Sequence, residues 1–179
     1  DDMHLEDLFH ALRFAFLILT QQKELYVLHS ASFLYRGRAF LVSGSSGTGK
    51  STHSALWHDL YQTPLLNGDL NLLGIRNSIP YAYGLPWCGT SGICTPKDYL
   101  LGGIIFLKQA AIDQVQSLQP DEKVLHILQR MISPAWTKEL LLRNLHFSEA
   151  LAPLIFSCRL YCTKEPSAAG TLKAAIDAL

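Results

Sequence analysis

The chain has no net charge: 15 Lys and Arg balance 15 Asp and Glu over 179 residues. Such a balance gives no electrostatic footprint for nucleic acid or an acidic membrane, so neither partner is expected. It also lacks an apolar run of membrane-spanning length. Phe14 to Leu19 is too short, and Glu6, Asp7 and Arg13 lie just before it. Cysteine is scarce. Cys88, Cys94, Cys158 and Cys162 form no CxxC pair, and no histidine follows at zinc-finger spacing, which argues against a structural zinc site. Reduced thiols in a cytoplasmic protein are the expectation. Cys158 and Cys162 would share one side of a strand and point into a core. No repeat, low-complexity tract or linker divides the sequence, so residues 1–179 are expected to form one domain. The chain begins with Asp1-Asp2 rather than Met, and an N-terminal piece of the full protein is expected to precede it.

What is present alternates between helix and strand signals. Leu5, Leu8, Phe9, Leu12, Phe16 and Leu19 recur at helical spacing, which predicts an amphipathic helix over 4–20 packed on the core. Residues 25–35 read as a strand, Arg36-Gly37-Arg38 as a turn, and 39–42 as a second strand. That hairpin gives the second strand an antiparallel neighbour. Short strands are expected over 63–66, 70–75, 79–83, 103–107 and 115–118, with a glycine- and proline-rich loop over 84–96. Pro120 and Pro134 each mark a helix start, the second helix running to about residue 150. A strand over 155–162 and a helix over 167–178 close the chain. The fold class is α/β with a mixed sheet.

One motif carries the functional reading. Gly44-Ser45-Ser46-Gly47-Thr48-Gly49-Lys50-Ser51 matches G-x-x-x-x-G-K-[ST], the phosphate-binding loop, between a strand and a helix that opens at Thr52. Its glycines permit a tight turn with N–H groups facing inward, at a helix N-terminus where anions are favoured. Lys50 can reach the outer phosphates of a nucleotide, and the Ser51 hydroxyl can ligate the accompanying magnesium. The hairpin before the loop argues against the parallel sheet of common nucleotide kinases and GTPases.

Three further features are weighed against blander readings. Asp69 lies between two apolar strand runs, 19 residues after Lys50. It can serve as the base for an attacking hydroxyl or as an indirect magnesium ligand, or it is a turn residue beside Gly68. His29 is either a satisfied core histidine or a neighbour of the transferred phosphate. The segment holding Trp87, Cys88, Gly89, Thr90 and Ser91 is either a plain loop or a substrate loop with N–H groups set against an anion.

Taken together, Leu28-His29-Ser30-Ala31-Ser32, the turn at Gly37, the loop from Gly44 to Thr52 and Leu65-Leu66-Asn67-Gly68-Asp69 resemble the C-terminal catalytic domain of HPr kinase/phosphorylase. They are closer still to its shorter relatives encoded beside peptide-modifying enzymes, where a segment like Gly84-Leu-Pro-Trp-Cys-Gly-Thr-Ser-Gly-Ile93 is typical. The similarity covers about residues 25–110 and, more weakly, the strand at 155–161. The resemblance implies a fold like that of ATP-dependent phosphoenolpyruvate carboxykinase. It implies transfer of the ATP γ-phosphate to a serine of a protein or peptide, with Mg2+ as the metal. Asp69 would be the general base, Lys50 and His29 would lie at the phosphates, and Ser51 and Asp69 would serve the metal. The family is hexameric, so a homo-oligomer is also an expectation. Two departures stand out. The family carries two aspartates where this chain has Gly68-Asp69, and its Glu-x-Arg-Gly signature is replaced in the region of Trp87 to Gly92.

Overall fold

The computed structural model describes residues 2–87 and 91–179, without the side chains of residues 2, 3 and 5. Helix α1 (Asp2–Gln22) leads into strands β1 (Tyr26–Tyr35) and β2 (Arg38–Ser43), then α2 (Lys50–Tyr61). Strands β3 (Leu65–Asn67), β4 (Leu70–Arg76), β5 (Ile79–Tyr83), β6 (Tyr99–Gln109) and β7 (Gln114–Ser117) follow. The chain closes with α3 (Pro120–Arg130), α4 (Lys138–Leu151), β8 (Phe156–Cys162) and α5 (Pro166–Asp177).

Two tight hairpins set the register. Arg36 and Gly37 both adopt positive φ, as do Asn77 and Ser78, which is the geometry of two-residue turns that match strand twist. The first hairpin pairs Tyr35 with Arg38, the second Arg76 with Ile79. The strands form one mixed sheet in the order β2-β1-β4-β5-β6-β8-β7, and β2 also pairs in parallel with β6. That extra pairing closes β1, β2, β4, β5 and β6 into a ring, with β8 and β7 continuing from β6 as a flange. A bulge between Ala39 and Phe40 lets β6 turn the corner. A Cβ on Gly102 would lie 2.6 Å from the Phe40 ring, so only glycine fits there.

Strand alternation splits the core. Ala39 and Leu41 join Tyr26, Leu28, Leu73 and Leu101, with Ile127 and Leu151 from α3 and α4. Phe40 and Val42 face the other way, with Phe33, Trp57, Leu172 and Ile176 from the α2 and α5 side. Cys158 and Cys162 are both buried in this second cluster. Trp57 is fully buried and stacks on Phe33 at 4.3 Å, pinning α2 to the sheet.

Two expectations need correction. The apolar stripe of α1 does not pack on the core: Leu8, Phe9, Leu12 and Leu19 are all exposed. The helix outruns the face it covers, and its inward side is set by Phe16, Leu17 and Gln21 near its end. Gln21 Nε2 donates to Asn144 Oδ1 at 2.7 Å and anchors that end to α4. Pro134 does not open α4 either. The helix starts after Thr137, whose hydroxyl accepts from the Leu140 N–H, while the Pro134 carbonyl accepts from Asn144 and Gln21. Pro120 does open α3, where the Glu122 carboxylate accepts from the Gln119 N–H and completes a capping box.

Candidate functional site

The phosphate loop leaves β2 at the carboxyl end of the parallel trio β2, β6 and β8, the end at which open α/β sheets bind ligands. Gly44 is sterically required, since a Cβ there would lie 2.5 Å from the Thr48 hydroxyl. Gly47 and Gly49 hold φ of 75° and 96°, a region that disfavours side chains. Thr48 Oγ1 donates to the Ser45 carbonyl at 2.8 Å and closes the turn. Gly49 is the N-cap of α2 and offers no side-chain cap, so the first N–H groups of the helix remain for an anion. Ser45, Ser46, Ser51 and Thr52 are exposed. Lys50 folds back on the loop, its Nζ donating to the carbonyls of Gly44 and Ser45 at 3.3 and 3.2 Å. Gln109 Nε2 braces the loop through the Gly47 carbonyl at 3.0 Å, and Arg130 Nη2 reaches Ser45 Oγ at 3.3 Å.

Asp69 sits on a turn fixed by buried polar residues. Asn67 Oδ1 accepts from the N–H groups of Asp69 and Leu70, at 2.9 and 3.0 Å. The Asn67 N–H donates to Ser32 Oγ, Ser32 Oγ donates to Asn71 Oδ1, and Asn71 Nδ2 reaches Ser30. The Ser30 N–H in turn donates to the Asp69 carbonyl at 3.0 Å. The two serines flanking Ala31 thus lock the Asn-Gly-Asp turn against β1. Each buried polar atom here has its partner, which makes the turn rigid.

That turn sets Asp69 between β1 and α1. Its carboxylate lies 3.7 Å from His29 Nδ1 and 3.9 Å from Arg13 of α1. Burial lowers the Lys50 pKa and Arg130 lowers it further, while Asp69 opposes both. Burial likewise lowers the His29 pKa, reinforced by Lys50 and opposed by Asp69, so the ring is neutral near pH 7. Lys50, His29 and Asp69 therefore share one electrostatic neighbourhood, joined by Arg13 and Arg130.

The loop after β5 lies over the same turn. Asn67 Nδ2 donates to the Trp87 carbonyl at 2.8 Å, and the Trp87 ring packs on Phe16 at 4.4 Å. A Cβ on Gly68 would lie 2.1 Å from Ser91 Oγ, so Ser91 occupies the space a first aspartate would need. Cys88, Gly89 and Thr90 lie outside the described residues. Arg13, Arg130, Gln109 and the Ser30–Ser32–Asn67–Asn71 network escape sequence reasoning. For the network, the alternating serines on β1 and the Asn before Gly68-Asp69 were the available signal. For Arg130 there was none, because the backbone bridge that sets the end of α3 beside β1, Met131 to Leu28, joins distant residues.

Two clefts flank the loop. One, of about 510 Å³, is lined by Gly47, Gly49, Thr52, His53, Leu56 and Thr163, among others. His53 is buried there, its pKa pushed down to about 4 by burial. Its Nε2 accepts from the Trp57 indole at 3.2 Å, which leaves Nδ1 to carry the proton of the neutral ring, a donor with no partner in the protein. The other cleft, of about 550 Å³, lies between the loop, β6, α3 and β8. Among the described residues, no group of three His, Cys, Asp or Glu side chains is arranged to hold a metal alone. The exposed Ser51 hydroxyl and the Asp69 carboxylate suit a magnesium ion that arrives on phosphates and keeps most of its ligands from them and from water.

No family model matches this chain, and no curated protein matches its sequence. Among solved structures, the HPr(Ser) kinase/phosphatase from Coxiella burnetii is similar to 83% of this chain and 95% of that one, at 9% identity and a TM-score of 0.44. Among the described residues, no helix is long and apolar enough to cross a membrane.

Proposed function

We propose that the protein is an ATP- and magnesium-dependent kinase that transfers the γ-phosphate to a serine hydroxyl of a protein or peptide. The observation that carries this reading is the placement of Asp69 beside His29 and within the electrostatic reach of Lys50, at the mouth of a complete phosphate loop. The loop N–H groups and Lys50 hold the phosphates, and Lys50 exchanges its two carbonyl partners for phosphate oxygens. Magnesium, held at Ser51 and reached by Asp69 only through water, would neutralise charge on the phosphates and leave the carboxylate free to take a proton. Asp69 accepts the proton of the attacking serine, and its rigid turn keeps the carboxylate in place before the acceptor arrives. Neutral His29 can accept or donate a hydrogen bond beside it without adding charge. Thr52 and Leu56, backed by buried His53, form the wall suited to the nucleoside.

A second reading is a nucleotide-binding module without transfer activity. It is favoured by Gly68, where Ser91 fills the place of a second carboxylate and leaves one acidic residue on the turn. Single-turnover transfer of radiolabelled γ-phosphate to serine peptides separates the two. Labelled peptide supports the kinase. Tight ATP binding with neither transfer nor hydrolysis supports the module.

A further inference from the structure

The cleft between the phosphate loop, β6, α3 and β8 has a composition that nucleotide binding leaves unused. Its wall holds Lys108, His126, Arg130 and Arg159 beside Phe106 and Gln109, and no carboxylate. Among the described residues, none of Lys108, Arg130 and Arg159 forms an ion pair. Nor are the arginines loose in solvent: both are half-buried. Arg159 is paired to His126 Nε2 at 2.6 Å and to Gln116 Oε1 at 3.3 Å. His126 is held neutral by burial and by Arg159, so the Arg159 guanidinium donates to its ring. Glu122, whose charge opposes the lowering of the His126 pKa, turns its carboxylate to the Gln119 N–H and does not line the cleft. Arg130 joins the cleft to the phosphate loop through Ser45. Lys108 is exposed, with its ammonium over the Tyr161 ring at 5.4 Å, and completes a wall of three cations and no carboxylate. Like charges lining one space repel, and an entering anion relieves that repulsion.

We infer that this cleft is a second anion subsite, distinct from the phosphate loop, which binds an oxyanion carried by the phosphate acceptor. Its chemistry is that of a carboxylate or phosphate group: two forked guanidinium donors for bidentate contact and a lysine point charge, next to the position of the transferred phosphate. The assignment to the acceptor rests on the kinase reading given above; the existence of the subsite does not. Under that reading the enzyme selects serine peptides with an acidic or phosphorylated residue near the target hydroxyl, because one anchored anion orients the hydroxyl for attack.

The test loads the protein with a non-hydrolysable ATP analogue and magnesium, which fills the phosphate loop, and titrates inorganic phosphate by calorimetry. Saturable binding is expected. Arg159→Gln and Lys108→Gln should each weaken it about tenfold, the loss of one charge-assisted contact, while analogue affinity stays unchanged. Without nucleotide, phosphate binding that persists in Lys50→Ala and is weakened by Arg159→Gln in that background reads the cleft, so the subsite remains testable even if the protein takes no ATP. Short serine peptides bearing aspartate or phosphoserine should displace the phosphate, and their glutamine counterparts should not. No saturable binding, or binding indifferent to both substitutions, overturns the subsite. Phosphate binding that no acidic peptide displaces, or that neutral peptides displace equally, overturns its assignment to the acceptor.

Discussion

The two clefts beside the phosphate loop differ in how they treat charge. On the α2 side, Lys164 and Glu165 bring one charge of each sign beside the hydroxyls of Thr48, Thr52 and Thr163 and a histidine kept neutral by burial. On the α3 side, Lys108, Arg130 and Arg159 are gathered with no carboxylate among them. The loop is their common wall: Gly44 and Ser45 face one cleft, Gly47 and Gly49 the other, and Thr48 both. A nucleotide is half charged and half neutral, and under the proposed function the charge-balanced cleft would seat the nucleoside while the loop holds the phosphates. The excess of positive charge beyond the loop then calls for a second anionic ligand.

Acid is the strongest way to break the difference. His53 has a folded pKa of about 4, below the ordinary 6.5, so the native state takes up its proton later than the unfolded chain. Its contribution to stability is complete above about pH 6.5 and is lost as the pH falls toward 4, to a total of about 3 kcal/mol. His53→Gln keeps an acceptor for the Trp57 indole and removes the titration. Urea unfolding across this range should show the wild type losing up to about 3 kcal/mol more than the variant. Parallel acid curves would mean that the neutral wall does not depend on a buried histidine.

Removing the cation of the phosphate loop itself sharpens the contrast. Lys50→Ala should weaken ATP-magnesium binding by about 1.5–3 kcal/mol, as for a charge-assisted hydrogen bond, and leave adenosine binding unchanged. Calorimetry with both ligands checks this. Equal losses would mean the substitution damages the nucleoside cleft as well.

The smallest expected effect concerns Ser91, which lies against the Asn67-Gly68-Asp69 turn. Gly68→Ala brings a methyl group to 2.1 Å from Ser91 Oγ. Ser91 is exposed, so the cost should be roughly 1 kcal/mol, at the low end for overpacking. Adding Ser91→Gly removes both clashing atoms and should restore thermal stability. Additive losses in the double variant would contradict the contact.

The parts of the site that are continuous in sequence were legible there. The phosphate loop is a motif, and both hairpin turns sit in short polar breaks between apolar runs, so the antiparallel neighbour of β2 followed from local signals, while its parallel partner β6, distant in sequence, did not. Asp69 was legible as a candidate, but its direction was not. That depends on Ser32, Asn67 and Asn71 meeting across two strands, which no spacing rule reveals. Arg13 and Arg130 reach the site from helices distant in sequence, and their charge gave no hint of it. The α1 stripe misled for a related reason. Periodicity identifies an apolar face but not whether the rest of the fold is long enough to cover it. Pro134 misled because a proline suits a first turn and also suits the extended chain before a cap.

Asp69→Asn tests the central claim most directly. Asparagine preserves the shape of the side chain and one acceptor but cannot take a proton, and the turn is held through the backbone of residue 69 rather than its carboxylate. Single-turnover transfer to an acidic serine peptide should fall on the order of a hundredfold or more, while the fold and most of the ATP affinity remain. Transfer at the wild-type rate in Asp69→Asn would contradict the assignment of Asp69 as the base.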